Sequence, residues 1–279
     1  MLPNFIFIGP DKSGSTWIYE ALKAHPEVFV PTAKDLYFFD KNFDKGVGWY
    51  EGFFEGAEGR KAVGELSHDY LFSKDACRRI KEVIPDVKLI TCLRDPAERA
   101  FSHYLFCIRQ GLTNSDFLTA SEKEYPVILE HSYYYEPLKR YIETFGRKNV
   151  LVLRFEEIKS DPVSFISRIY AFIGVDPGFR PVEVLNRKVL PAGRPRVRLL
   201  AYLAKQAAYL LRYAGMPGLL GAIKRSELIQ KALYVPYASG ERPEPNEREK
   251  AFLKECYLAD IMALERLLGE DFSNWREGA

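Results

Sequence analysis

Cysteine is scarce in this 279-residue chain: Cys77, Cys92, Cys107 and Cys256 are all there are. They form no C-x-x-C pair, which argues against a zinc site and against a disulfide framework. A reducing compartment follows most simply, and a cytoplasmic location is the expectation. No run of about 18 apolar residues occurs, so no membrane span is expected. The first residues enter an apolar strand at once, without a basic segment ahead of an apolar one, so no signal peptide is expected. Internal repeats and low-complexity tracts are absent. The net charge of +2 gives the whole molecule no strong field, and no nucleic-acid partner is expected.

Acid is missing from one long stretch. Between Glu183 and Glu227 there is none, but there are nine bases: Arg187, Lys188, Arg194, Arg196, Arg198, Lys205, Arg212, Lys224 and Arg225. Such a block points to an anionic partner or to a solvated helix face. Inside it, "LLAYLAKQAAYLLRYAG" (199–215) reads as a buried or cleft-covering helix, or as one lying on a membrane surface, a peripheral contact through 197–225.

What is present is an alternation of two patterns. Short apolar runs at 4–9, 62–66, 87–93 and 149–155 read as buried strands. Between and after them lie helical segments with clear boundaries. Ser73 opens 73–85, which closes before Pro85; Asp95-Pro96 opens 95–111; Asp161-Pro162 and Gly174 bound another; 246–269 is long and amphipathic. This is the pattern of an α/β fold with a parallel sheet flanked by helices. Residues 1–279 are expected to form a single domain, with 184–245 as a helical C-terminal cover.

One loop lacks the residue its spacing calls for. In "GPDKSGSTW" (9–17), Gly9 and Gly14 have the spacing of G-x-x-x-x-G-K-[ST], and Thr16 supplies the final hydroxyl. Ser15 stands where the lysine belongs, and Lys12 lies three residues upstream. A glycine-bearing turn between a strand and a helix gathers backbone N–H groups around an anion. The alternative is an ordinary tight turn. In an ATPase the missing lysine would reach the β- and γ-phosphates, and Ser15 cannot supply that charge.

The segment "GPDKSGSTWIYEALKAHP" resembles the 5′-phosphosulfate loop of sulfotransferases that use 3′-phosphoadenosine 5′-phosphosulfate (PAPS). "LITCLRDPAERAFSHYLF" (89–106) is similar to the family's second nucleotide segment, and "KDLYFFD" (34–40) to the acidic-aromatic segment of its heparan-sulfate-type branch. The resemblance implies a P-loop-type fold. It implies that Lys12, Ser13, Gly14, Ser15, Thr16 and Trp17 surround the 5′-phosphosulfate, and that Arg94 and Ser102 hold the 3′-phosphate. Arg194, in a basic segment similar to one that folds over the nucleotide, is a further donor contact. The implied reaction moves a sulfonate from PAPS to a hydroxyl of a glycan or small-molecule acceptor, leaves PAP, and needs no metal. Lys12 would neutralise the leaving group, and Asp35 or His68 would be the base, with Asp35 favoured. Leu66 stands where the polysaccharide branch often carries a lysine, which speaks against a heavily sulfated acceptor. The three tyrosines of "HSYYYEP" (131–137) suit a cleft wall or a core. Two other readings stay open: a P-loop kinase or NTPase, with Asp95 as its metal-binding acid, and a catalytically silent nucleotide-binding protein.

Overall fold

The computed structural model describes residues 1–32, 34–185, 193–213, 226–238 and 240–277. Arg187, Lys188, Lys224 and Arg225 of the basic block lie outside these residues. The chain groups into two compact units. The first comprises Met1–Asp95, Tyr133–Val189 and Ala259–Phe272, the second Pro96–Ser132, Leu190–Leu258 and Ser273–Ala279.

The first unit is built on five parallel strands: β1 (Phe5–Gly9), β2 (Val28–Phe29), β3 (Ala62–Leu66), β4 (Lys88–Leu93) and β5 (Val150–Arg154), in the order β2-β3-β1-β4-β5. Phe5 of β1 stands opposite Gly64 on one side and Lys88 on the other. The strands are largely apolar and show no polar alternation because both sheet faces are covered. On one face, Phe5, Phe7, Ile90, Cys92 and Leu153 pack with Trp17, Ile18 and Leu22 of the helix Ser15–Ala24 and with Phe165, Ile166 and Ile169 of the helix Pro162–Ile173. Ile6, Ile8 and Leu89 point to the opposite face by the period of a strand and are equally buried. The expected α/β sheet flanked by helices is therefore the observed one.

The helix boundaries follow the capping chemistry. Ser73 accepts the N–H of Ala76 (3.1 Å) at the start of Lys74–Val83, and Asp161 accepts that of Ser164 (2.9 Å) ahead of Pro162. Gly174 ends its helix in the left-handed conformation.

The chain runs from β1 to β2 and β3 on one side of the sheet, then crosses to β4 and β5 on the other. The direction reverses at β1. In sheets of this kind, a crevice opens outside the carboxyl ends of the strands at that reversal.

The second unit holds the helices Pro96–Arg109, Arg198–Tyr213 and Glu227–Leu233, with a two-stranded antiparallel ribbon of β6 (Gly193–Pro195) and β7 (Tyr234–Pro236). Of the helix expected at 199–215, the described residues form Arg198–Tyr213, and it is not a buried one: Leu199, Leu200, Leu203 and Leu210 are exposed. Ala201, on another side of the helix, is fully buried.

Candidate active site

Three strand ends bring the candidate residues together. At the end of β1, Gly9 has φ +120°, and a Cβ there would lie 2.1 Å from the carbonyl oxygen of His68. Only glycine tolerates both conditions. The segment after β3 is thereby laid against β1, tied by Ser67 N–H to the Phe7 carbonyl (3.0 Å) and Leu71 N–H to the Ile8 carbonyl (2.9 Å).

The loop that follows turns sharply. Lys12 is left-handed at φ +62° and Gly14 at +84°, where a Cβ would also sit 2.6 Å from Cδ1 of Ile158. The first hydrogen bond inside the next helix runs from Ile18 N–H to the Gly14 carbonyl (3.0 Å). The N–H groups of Ser15, Thr16 and Trp17 thus have no partner within that helix, and they point out of its positive end. The Trp17 ring packs edge-on against Phe165 in the core, so what it brings to the loop is its N–H. Ser13 is fully buried, its hydroxyl donating to the Asp11 carbonyl (3.4 Å).

The charge that Ser15 lacks arrives from elsewhere. Lys34 Nζ donates to Ser15 Oγ (3.0 Å) and to Thr16 Oγ1 (2.9 Å). Reading by sequence missed this residue, although it is the first of "KDLYFFD" and directly precedes Asp35. Arg94, just past β4, is buried; its Nη1 donates to the Lys12 carbonyl (3.2 Å), and its guanidinium lies 4.7 Å from the Phe155 ring. Tyr134 anchors the arginine's backbone, donating its hydroxyl to the Arg94 carbonyl (2.9 Å). Of the three tyrosines, Tyr134 is therefore core, while Tyr133 is exposed.

Asp35 and His68, which the sequence offered as rivals, are partners. His68 Nδ1 lies 2.6 Å from Asp35 Oδ1, and Nε2 lies 3.2 Å from the Tyr37 hydroxyl and 3.4 Å from Asp69 Oδ1. Burial alone would push the His68 pKa down. The charges of Asp35, Asp69 and Asp11, with the hydrogen bond to Asp35, outweigh it and raise the pKa. Asp35 is left-handed at φ +65° and Tyr37 at +52°, conformations that cost about 1–3 kcal/mol each in non-glycine residues and persist only where the surroundings enforce them. Here Asp35 N–H is held by the Leu66 carbonyl (2.7 Å) and Tyr37 N–H by Ser67 Oγ (3.2 Å).

Ser67 is fixed in turn by Glu65 of β3. Its hydroxyl donates to Glu65 Oε2 (2.7 Å), while the hydroxyls of Tyr50 (2.8 Å) and Tyr70 (2.9 Å) donate to Oε1. Burial raises the Glu65 pKa to about 7, against the pull of these three donors. The carboxyl that braces the segment is thus poised to carry a proton near neutrality.

Ser102 and Arg194 belong to the second unit. Ser102 is half-buried on the helix Pro96–Arg109, and Arg194 is exposed on β6, opposite Val235 of β7.

A family model described as the sulfotransferase domain matches residues 2–189. The chain belongs to the sulfotransferase family. Among curated relatives of this sulfotransferase, the mouse bifunctional heparan sulfate N-deacetylase/N-sulfotransferase 4 is 28% identical over 210 residues, covering 66% of this chain and 24% of the relative. Human heparan sulfate glucosamine 3-O-sulfotransferase 3B1 is 29% identical over 182 residues, 62% of this chain and 46% of that one. The chain thus spans about a quarter of the first relative and under half of the second. A solved sulfotransferase from Alicyclobacillus acidocaldarius shares the fold with a TM-score of 0.72 and 25% identity, over 99% of this chain and all of that one.

Proposed function

We propose that this sulfotransferase moves a sulfonate group from PAPS to a sugar hydroxyl by in-line displacement. The observation that carries the reading is the turn at residues 34–35. Lys34 lies on the two loop hydroxyls, and the next residue, Asp35, is paired to His68. A cation for the departing group and a base for the incoming one sit on adjacent residues.

The residues present fit the donor. Three N–H groups at a helix start, the hydroxyls of Ser15 and Thr16, and the cations of Lys12 and Lys34 suit a 5′-phosphosulfate. Buried Arg94 suits a second anionic group, the 3′-phosphate, because a guanidinium binds two oxygens at once. When bound, PAPS supplies the activated sulfonate and a nucleotide leaving group. Lys12 and Lys34 stabilise the negative charge that develops on the loop side, which a preorganised site does without rearrangement.

On the acceptor side the Asp35–His68 pair removes the hydroxyl proton and shares it across the 2.6 Å contact. Two groups this close titrate as a unit. The working form has one proton fewer than the carboxylate–imidazolium form, and the raised His68 pKa moves the acid limb above the ordinary imidazole value of about 6.5. A sugar acceptor is supported by the two relatives named for heparan sulfate; one of them acts on nitrogen by its name, so an amine belongs in the same acceptor class. Buried Leu66 at the end of β3 offers no charge to a polyanion.

Labelled PAPS with a panel of unsulfated glycosaminoglycan chains, their N-deacetylated forms, phenols and aliphatic alcohols tests the reading. Label is expected in the unsulfated glycans. Transfer to phenols or alcohols alone would replace the sugar acceptor with a small metabolite.

A further inference from the structure

The helix Arg198–Tyr213 is turned the wrong way for a helix whose only role is to pack. Burial favours leucine over alanine, since each added methylene removed from water stabilises by about 0.8 kcal/mol. Here Ala201 is buried, whereas Leu199 and Leu210 are each 64% exposed, and Leu200 and Leu203 are 52% and 51% exposed. Leu199, Leu203, Ala207 and Leu210 follow at i, i+4, i+8 and i+11, which puts them on one face. The helix is held in this orientation. Arg198 Nε donates to the Gly111 carbonyl (3.3 Å), and a Cβ at Gly111 would lie 2.5 Å from the Arg198 carbonyl. The helix of 16 residues is about 24 Å long, and the apolar stripe from Leu199 to Leu210 covers about 17 Å of it.

Charge decides what covers it. The stripe lies in the acid-free stretch between Glu183 and Glu227, and Arg196 and Arg198, which lead into the helix, are exposed. A second copy of the chain on this face would set two such stretches against each other across a two-fold axis, with like charges opposed. An anionic lipid surface complements both features: the leucines enter the headgroup boundary, and nearby bases meet the lipid phosphates and carboxylates. No described helix is long and apolar enough to cross a membrane. We propose that the outward leucine face of Arg198–Tyr213, with its flanking arginines, docks the protein in-plane on an anionic membrane surface.

The test is flotation of the full chain with vesicles of phosphatidylcholine alone or mixed with phosphatidylserine. The protein is expected to float with the mixed vesicles only, and less as salt is raised. Leu203→Gln with Leu210→Gln should reduce partitioning by about tenfold for each leucine removed, with melting and PAP binding unchanged because both residues are already exposed. Arg196→Gln should weaken binding to mixed vesicles without creating binding to neutral ones. No flotation with mixed vesicles would overturn the proposal, as would flotation that the leucine variant retains. It would equally be overturned by a dimer in sedimentation equilibrium that the leucine variant dissolves while vesicles bind neither form.

Discussion

Replacing Lys34 by alanine removes a cation that reading by sequence alone did not assign. Its Nζ makes two hydrogen bonds, 3.0 and 2.9 Å long, to Ser15 and Thr16. If these hydroxyls and the adjoining N–H groups cradle the 5′-phosphate, the lysine stands within one hydrogen bond of that anion. A bare Coulomb figure at 4 Å and an effective dielectric of about 20 is about 4 kcal/mol. Solvent returns part of this, and the net worth of a hydrogen bond to a charged group is about 1.5–3 kcal/mol. Lys34→Ala should therefore raise the Kd of PAP by about 10- to 150-fold. The loss should be the same for AMP, which also carries the 5′-phosphate. Arg94→Ala should behave in the opposite sense, weakening PAP by a similar factor and AMP little, because only PAP carries the 3′-phosphate. Calorimetric titration of both variants with both nucleotides reads the four numbers. Wild-type affinity for PAP in Lys34→Ala would refute the cradle, and equal losses for both nucleotides in Arg94→Ala would refute its part in holding the 3′-phosphate.

Lys12→Ala should keep PAP affinity within a few-fold of wild type yet lose about 10² or more in kcat, the range for one lost charge-stabilising donor; steady-state kinetics with intact folding decides it. Asp35→Asn and His68→Ala should each remove most turnover, and the double variant should be no worse than the weaker single, since residues acting as a unit lose activity only once. Multiplying losses would show two independent roles. In the residual activity of His68→Ala, the acid limb of the pH profile should shift down toward the carboxylate range, because the imidazole that raised it is gone. Glu65 has a folded-state pKa of about 7, above that of an unfolded glutamate. The native state therefore holds the extra proton, and stability falls as pH rises from about 4.5 to about 7, by on the order of 3 kcal/mol. Glu65→Gln should flatten that limb in urea melts; an unchanged pH dependence would mean that Glu65 is ionised in the fold.

Four of the strands were legible as short, largely apolar runs, and Ala62–Leu66, Glu65 included, matches its expected bounds to the residue. Helix starts at Ser73 and Asp161 were legible because a short polar side chain there has one local task. β2 was not, since Val28 and Phe29 are too few to show a period. The site was half legible. Gly9, Lys12 and Thr16 carry local spacing, and the family resemblance added Arg94, Asp35 and His68. Their pairing depends on β3 lying beside β1 and on a left-handed turn at Asp35, neither of which has a local pattern. Lys34 was hidden for the same reason: it reaches the loop from 18 positions beyond Thr16. The leucine face of Arg198–Tyr213 was visible as a period, but which way it points is set by Gly111 and buried Ala201.

The most direct test of the account is a balance of products. The protein is incubated with labelled PAPS and an unsulfated glycosaminoglycan in the presence of EDTA, and PAP and sulfonated glycan are quantified together. Equal amounts of the two are expected, with both formed about 10²-fold or more slowly in Lys12→Ala. Absence of sulfonated product, alongside Mg²⁺-dependent turnover of ATP by the same preparation, would contradict the account and return the loop to a nucleoside-triphosphate site.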